Sequence, residues 1–192
     1  MTFIRETIIT SCDAAGNVHV APMGATVTET GYILAPFRPS RTLDNLLATR
    51  CAVVNFTDDV RVYAGCVTGR RREWPTGPAR RIRGAVLDGA LAHEEVEVVG
   101  VEEDETRPRL SCRPVHLVNH RPFRGFNRAQ AAVVEGAILV SRLHLLPPAK
   151  IDREVEYLTI AIDKTAGPIE REAWGWLMER IAEFRAGPES AL

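Results

Sequence analysis

A chain of 192 residues fits one domain, or one domain with a sizeable appendage. Its 45% hydrophobic and 26% charged content supplies a buried core and excludes global disorder. With 24 basic and 25 acidic residues the formal net charge is -1, so nothing demands a polyanionic partner and no nucleic acid is expected.

No run approaches the roughly 20 apolar residues that span a bilayer. Residues 1–10 carry Arg5 and Glu6 and lack the apolar stretch of a signal peptide. No membrane association and a cytoplasmic location are therefore expected. Lys150 and Lys164 are the only lysines, an arginine bias that weakens any single arginine as a functional signal. Cys12, Cys51, Cys66 and Cys112 form no CxxC pair and read as small buried hydrophobes.

In chain order, residues 6–11 are a β-rich run, residues 13–17 have turn chemistry, and residues 18–23 resume, together predicting a hairpin. Residues 25–30 and 32–35 are β-like, split by Gly31. Residues 36–40 form a loop. Leu43, Leu46 and Leu47 then recur at helical spacing, predicting a short helix over 42–49 with Ser40 as its N-cap. Leu43 stands where a capping box needs Glu or Gln.

Residues 51–56 predict a buried strand, whereas 60–68 fit helix and strand equally. Residues 69–83 are an Arg-, Pro- and Gly-rich connection; 85–101 and 109–119 are strand-like. The last third changes period. Residues 128–146 predict a helix stopped by Pro147-Pro148, residues 152–164 a second helix capped by Asp152, and a third runs from Pro168 to near Gly187. A β-rich body followed by three helices is an α+β arrangement.

Three segments carry chemistry when taken together. In the second of them, Ser40, Arg41 and Thr42 place two hydroxyls and a guanidinium where a loop enters a helix. The first helical N–H groups lack internal partners there, and the positive dipole end adds to them. That combination suits a phosphate; Asp44 opposes it unless its carboxylate points away. The same residues also suit a capped surface helix with an incidental arginine. In the first segment, residues 16–24, Ala21 and Gly24 are small and Pro22 lacks an N–H, so a flat ring fits against the strand. An ordinary edge strand has the same composition. The third segment is Ala52-Val53-Val54-Asn55-Phe56.

The order Gly16-Asn17, Ala21-Pro22-Met23-Gly24, then Pro36, Arg41-Thr42 and Asn45-Leu46, then Val53-Val54-Asn55 resembles the flavin reductase-like, FMN-binding split-barrel superfamily. More narrowly it resembles the DUF447 family within it. Phe126-Asn127-Arg128-Ala129 leading into Val133-Val134-Glu135, and Lys164-Thr165-Ala166-Gly167, support the narrower match. The resemblance covers nearly the whole chain and rests on order and spacing. It implies a Greek-key split β-barrel over residues 1–126, a helical section over 127–192 packed on it, a homodimer, and FMN near the subunit interface. It implies further that Ser40, Arg41, Thr42 and Asn45 hold the phosphate. His19, Ala21, Pro22 and Met23 line the flavin, with Val54 and Asn55 nearby. Asn127 and Arg128 either approach the cofactor or cap the long helix.

Other candidates are weaker. His93, His116, His120 and His144 lack metal-ligand spacing; His116 and His120 are four apart, which serves a metal only on a helix. No metal site is expected. Arg70-Arg71-Arg72 and Arg80-Arg81-Arg83 flank Trp74 and could bind nucleic acid or the phosphate of a nucleotide cosubstrate, but near-zero net charge favours a solvated loop balanced by Glu94, Glu95 and Glu97. There is no GxSxG, and Trp174 and Trp176 read as helix packing. The leading expectation is an FMN flavoprotein, an oxidoreductase acting on an unidentified small molecule. The alternatives are a non-enzymatic flavin carrier or redox sensor, and a barrel that has exchanged FMN for haem or a deazaflavin or has lost the cofactor. No catalytic residue is nominated, because the flavin carries the hydride chemistry.

Overall fold

Asp13 closes the first turn: its carboxylate accepts from the Asn17 backbone and side-chain N–H groups, each at 2.8 Å, and Gly16 supplies the φ of +93° that the turn needs. The hairpin so formed joins β1 (Ile4–Cys12) to β2 (Val18–Thr28). The computed structural model describes residues 2–187. β3 (Gly31–Leu34), α1 (Arg41–Thr49) and β4 (Cys51–Phe56) follow, and then α2 (Arg61–Thr68). Next come β5 (Thr76–Pro78), β6 (Ala85–Leu87), β7 (Ala92–Glu102) and β8 (Arg109–Asn119). The chain ends in α3 (Arg128–Ser141), α4 (Pro148–Thr165) and α5 (Pro168–Ala186).

Six strands close an antiparallel barrel in the order β1-β2-β3-β8-β7-β4, and β5-β6 form a separate two-stranded sheet. The α+β expectation, a β-barrel followed by C-terminal helices, is met. Contacts divide the chain into two compact units. The barrel unit runs through Asp58 and resumes over Glu73–Phe123; the helical unit holds Asp59–Arg72 and the chain from Arg124 on.

The barrel interior is apolar because alternate strand residues share a face. Ile9, Ala25, Tyr32, Leu34, Ala52, Val54, Val96, Val98, Leu110 and Cys112 fill it, and α1 adds Leu43 and Leu46. Each such Leu or Ile stabilises the fold by about 1.5–3 kcal/mol on burial. Thr10, Cys51, Val53 and Asn55 alternate with that set and face outward, yet all are buried. Residues 83–87 cover them. The Thr10 hydroxyl donates to the Ala85 carbonyl, the Leu87 N–H donates to Asn55 Oδ1 at 2.9 Å, and the Cys51 thiol donates to the Arg83 carbonyl at 3.4 Å.

One open reading is resolved and several expectations are corrected. Residues 60–68 hold a helix, α2, closed by Gly69 in the left-handed region. The 69–83 connection contains β5, and the strand expected over 85–101 is two, broken where Gly89 takes φ +80°. Residues 18–28 form one continuous strand. The helix expected to reach 146 stops at Ser141, where Arg142 leaves the helical region at φ -120° and ψ 15°, and residues 142–145 continue as turns ahead of Pro147. α4 starts at Pro148 rather than near Asp152: proline fits the first helical position, where its missing N–H costs nothing.

Within the helical unit, α3 packs on α2, α4 and α5. Gly136 of α3 makes the α5 approach possible, since a Cβ there would lie 2.9 Å from Trp174 Cζ3 and 3.1 Å from Leu177 Cδ1. Arg61 is held by Asp59 at 2.7 Å and by Glu172, and Arg70 by Glu179 and Glu183. Gly136→Ala is expected to lower stability by about 1–3 kcal/mol through overpacking, despite alanine's better helix propensity. Gly175→Ala in α5, with nothing within 4 Å of the added Cβ, is expected to raise it by about 0.5–1 kcal/mol. Urea unfolding of both variants checks the contrast.

Candidate functional site

Helix α1 begins as the sequence predicts. Ser40 is its N-cap with φ -158°, and its hydroxyl accepts from the Leu43 N–H at 3.2 Å. The Asp44 N–H is taken by the Ser40 carbonyl. The N–H groups of Arg41 and Thr42 open the helix and have no intrahelical acceptor. Thr42 is buried, and its hydroxyl has no hydrogen-bond partner among the described residues. Arg41 is exposed, and no carboxylate among the described residues pairs with it. A cation at this end of a helix is opposed by the dipole. Asp44, one turn on, is exposed and makes no ion pair with Arg41.

Asn45 faces the other way. It is buried, and its Nδ2 donates to the Ser11 hydroxyl at 3.1 Å, fastening α1 to the end of β1. Ser11 lies opposite His19 across the β1–β2 ladder. Asn45 and His19 thus both adjoin Ser11, and α1, which carries Arg41 and Thr42 in its first turn, packs on β1 and β2. Ser40 caps that turn.

Ala21, Pro22 and Met23 form the adjacent stretch of β2. β1 pairs with this strand from Val18 to Thr26, but β3 pairs with it only from Ala25 to Thr28. Residues 18–24 consequently have a strand on one side only. That is where Pro22 is tolerated, since a central strand would lose a ladder bond to it. Ala21 and Met23 share the parity of interior Ala25, and Met23 packs against the core; Pro22 faces outward. A Cβ on Gly24 would lie 2.8 Å from the Ile4 side chain, so only glycine fits there without a shift.

Val54 and Asn55 face opposite sides of β4. Val54 is interior. Asn55 is fully buried, and its Nδ2 donates to the Ile8 carbonyl at 2.9 Å and to the Thr10 hydroxyl at 3.1 Å. Its carboxamide thus joins β1, β4 and β6. Asn127 and Arg128 belong to the helical unit. Asn127 caps α3, accepting from the Ala129 and Gln130 N–H groups at 2.7 and 3.2 Å, and its Nδ2 donates to the Thr165 carbonyl at 3.1 Å. Arg128 is exposed.

Sequence reasoning missed a second polar cluster on the outer barrel face. Glu95 is fully buried, and its carboxylate accepts from the N–H groups of Arg80, Arg81 and Ile82 at 2.7, 2.6 and 3.0 Å. Burial raises its pKa, but the three amides outweigh burial and leave it below the usual range. The 80–83 stretch thus uses its backbone, not only its guanidinium charges. His93 Nδ1 lies 2.8 Å from His120 Nε2, with the rings stacked at 5.0 Å. The buried Nε2 atoms of His93 and His116 have no hydrogen-bond partner among the described residues, and Glu95 Oε1 is 3.7 Å from the former. The sequence shows only the alternation of His93, Glu95 and Glu97; the pairing of His93 and Glu95 with Asn55 and Val53 of β4 is set by the fold.

Family models described as protein of unknown function (DUF447), N-terminal domain, and protein of unknown function (DUF447) match residues 5–121 and 127–179. The chain belongs to the DUF447 family. An FMN-bound DUF447 protein from Methanosarcina mazei matches this structure with a TM-score of 0.80 at 18% identity, covering 92% of this chain and 94% of that one. The Methanosarcina acetivorans flavoredoxin matches at TM-score 0.52 and 12% identity, covering 61% and 69% of the two chains. The Pseudomonas fluorescens 2-nitrobenzoate 2-nitroreductase matches at 0.51 and 16%, covering 60% and 64%. No curated protein matches by sequence. These likenesses show the split-barrel fold of this DUF447 protein.

The histidine cluster sets a pH dependence for the DUF447 barrel. Burial first, and the neighbouring His120 second, lower the pKa of His93 from its ordinary 6.5, while Glu95 pulls the other way. The folded state therefore binds the His93 proton less readily than the unfolded chain. Stability is full above about pH 6.5 and falls as pH drops through that value toward the lower folded pKa. Glu95 acts in a separate, more acidic window, below its ordinary 4.5. Unfolding free energy measured from about pH 7 to pH 5 should decline, and His93→Gln should flatten that slope.

Proposed function

We propose that this protein binds FMN and works as a flavin-dependent oxidoreductase on an unidentified small molecule. The observation that carries the reading is Arg41: an exposed guanidinium with no acidic partner among the described residues, at a helix start where two backbone N–H groups and the Thr42 hydroxyl are also open. An anion satisfies all of them together, and a terminal phosphate presents enough oxygens to do so. These residues fit the phosphate that the family resemblance implies. Ser40 holds the helix start in shape and Asn45 fixes the helix to Ser11.

The ring belongs along residues 19–24 of β2, where the strand has an unladdered side and Ala21 is small. His19, Ala21, Pro22 and Met23 line it in this reading. Val54 and Asn55 serve it as the rigid wall behind. When bound, FMN supplies the two-electron chemistry; the chain binds it, orients it and limits water around it. The DUF447 protein of Methanosarcina mazei is FMN-bound, which supports the cofactor; the nitroreductase and flavoredoxin support a redox role more weakly. The electron donor is a nicotinamide or another reduced carrier. The reading includes the homodimer that the resemblance implies, which light scattering reads directly. A flavin carrier or redox sensor is the second reading, separated from the first by steady-state reduction with a panel of donors.

The purified protein should show oxidised-flavin absorption and release a mass matching FMN on heating. Arg41→Ala should weaken FMN binding by about tenfold or more, and Arg41→Lys less, since lysine keeps the charge and loses the fork. A colourless protein that also fails to bind added FMN overturns the proposal.

A further inference from the structure

Two cysteines stand together in the barrel wall, apart from the phosphate donors. β1 and β4 pair antiparallel with Ile8 opposite Asn55, Ile9 opposite Val54 and Thr10 opposite Val53. Both strands continue past this point, β1 to Cys12 and β4 back to Cys51. The ladder ends at Thr10 and Val53; continued two residues further along each strand, its register would bring Cys12 opposite Cys51. Directly opposed residues share a face, and their Cα atoms lie about 4.5–5.5 Å apart. That spacing falls inside the roughly 4.4–6.8 Å that a disulfide spans.

The face is the outer one, under residues 83–87. The Cys51 thiol donates to the Arg83 carbonyl at 3.4 Å, and the Arg83 guanidinium reaches across to the Ala14 carbonyl at 2.9 Å. Cys12 is 6% exposed and Cys51 8%, so both are buried, yet each keeps a little exposure where the neighbouring Val53 has none. The other two cysteines are differently placed. Cys112 is an interior residue of β8, and Cys66 belongs to the helical unit. Burial and then the neighbouring Cys51 raise the Cys12 thiol, which agrees with the two groups being close.

We infer that Cys12 and Cys51 form a reversible cross-strand disulfide, making the β1–β4 rim an oxidation site for low-molecular-weight disulfides. One thiolate attacks the reagent disulfide RSSR, forming a protein–SR mixed disulfide and releasing RS⁻. The second thiolate then attacks the protein sulfur of that mixed disulfide and releases the second RS⁻. The two cysteine protons pass to the two released thiolates. The net change oxidises two protein thiols to one disulfide and reduces RSSR to two RSH. The bond ties β1 to β4 one residue from Ser11, whose hydroxyl holds Asn45 and hence α1.

The test is peptide mapping without reduction, after the folded full-length protein has been equilibrated with glutathione disulfide and its free thiols blocked with N-ethylmaleimide. The expected result is one cross-link joining the peptides that carry Cys12 and Cys51. Dithiothreitol should reverse it, and the melting temperature should rise by several degrees while it is present. Cys51→Ala should abolish the cross-link and leave Cys12 either free or as a glutathione adduct, with the wild-type circular dichroism spectrum retained. Full recovery of both cysteines as alkylated thiols overturns the inference, as do glutathione adducts alone in the wild type or a cross-link to Cys66 or Cys112. The readout does not need bound FMN, so it stands or falls separately from the proposed cofactor.

Discussion

The barrel wall depends on how one side chain is satisfied. Asn55 is fully buried and engages acceptors on β1 with its Nδ2 while its Oδ1 receives the β6 backbone. Removing either partner leaves a buried polar group bare, at about 1–3 kcal/mol each. Because the amide reaches both ways, it fixes the β1–β4 register and the position of the short hairpin above them. The covering hairpin in turn brings the loop that holds Glu95. The outer face is thereby a second interior, with a polar lining, alongside the apolar one inside the barrel.

Helix α1 performs two tasks with one amphipathic pattern. Leu43 and Leu46 enter the core, and Asn45 bonds Ser11 on the same buried side. The opposite requirement, an open start with Arg41 unengaged, is left to the first turn. A helix anchored this firmly at its base presents its N-terminus in a fixed place, which is what anion recognition requires. Tightness of the core and the fixed position of the proposed phosphate cradle are therefore linked through nine residues of chain.

Much of this is legible in the sequence, and the exceptions have physical causes. The leucine spacing and Ser40 locate α1 because a capped amphipathic helix carries both signals locally. The stretch over 60–68 is ambiguous because Val60 caps α2 without a side-chain bond, so no start signal exists. The end of α3 is overrun because apolar residues continue through Leu143, which is buried in a turn rather than in a helix. Hydrophobicity alone does not distinguish the two. For the site, the residue types at 40–45 point to a cradle. Asn127 caps α3 through N–H groups two and three residues on, as one of the two sequence readings has it, whereas the engagement of Asn55 is not readable, since its partners on β1 and β6 lie 32 to 47 residues away in sequence. Glu95 reads as surface charge because nothing local marks three amides arriving from residues 80–82.

The order of the pieces along the chain has a consequence for synthesis. Residues 59–72 belong with the helical unit but lie between β4 and β5. During translation α2 leaves the ribosome well before α3 and α5, the helices it packs on, exist. Meanwhile the barrel cannot close until β7 and β8 arrive. For that interval α2 is an orphan with buried-type residues such as Val62, Tyr63 and Ala64 uncovered. Elongation from residue 72 to residue 124 and beyond is therefore the interval in which α2 lacks the helices that bury it, the kind of exposed apolar surface that favours misassembly.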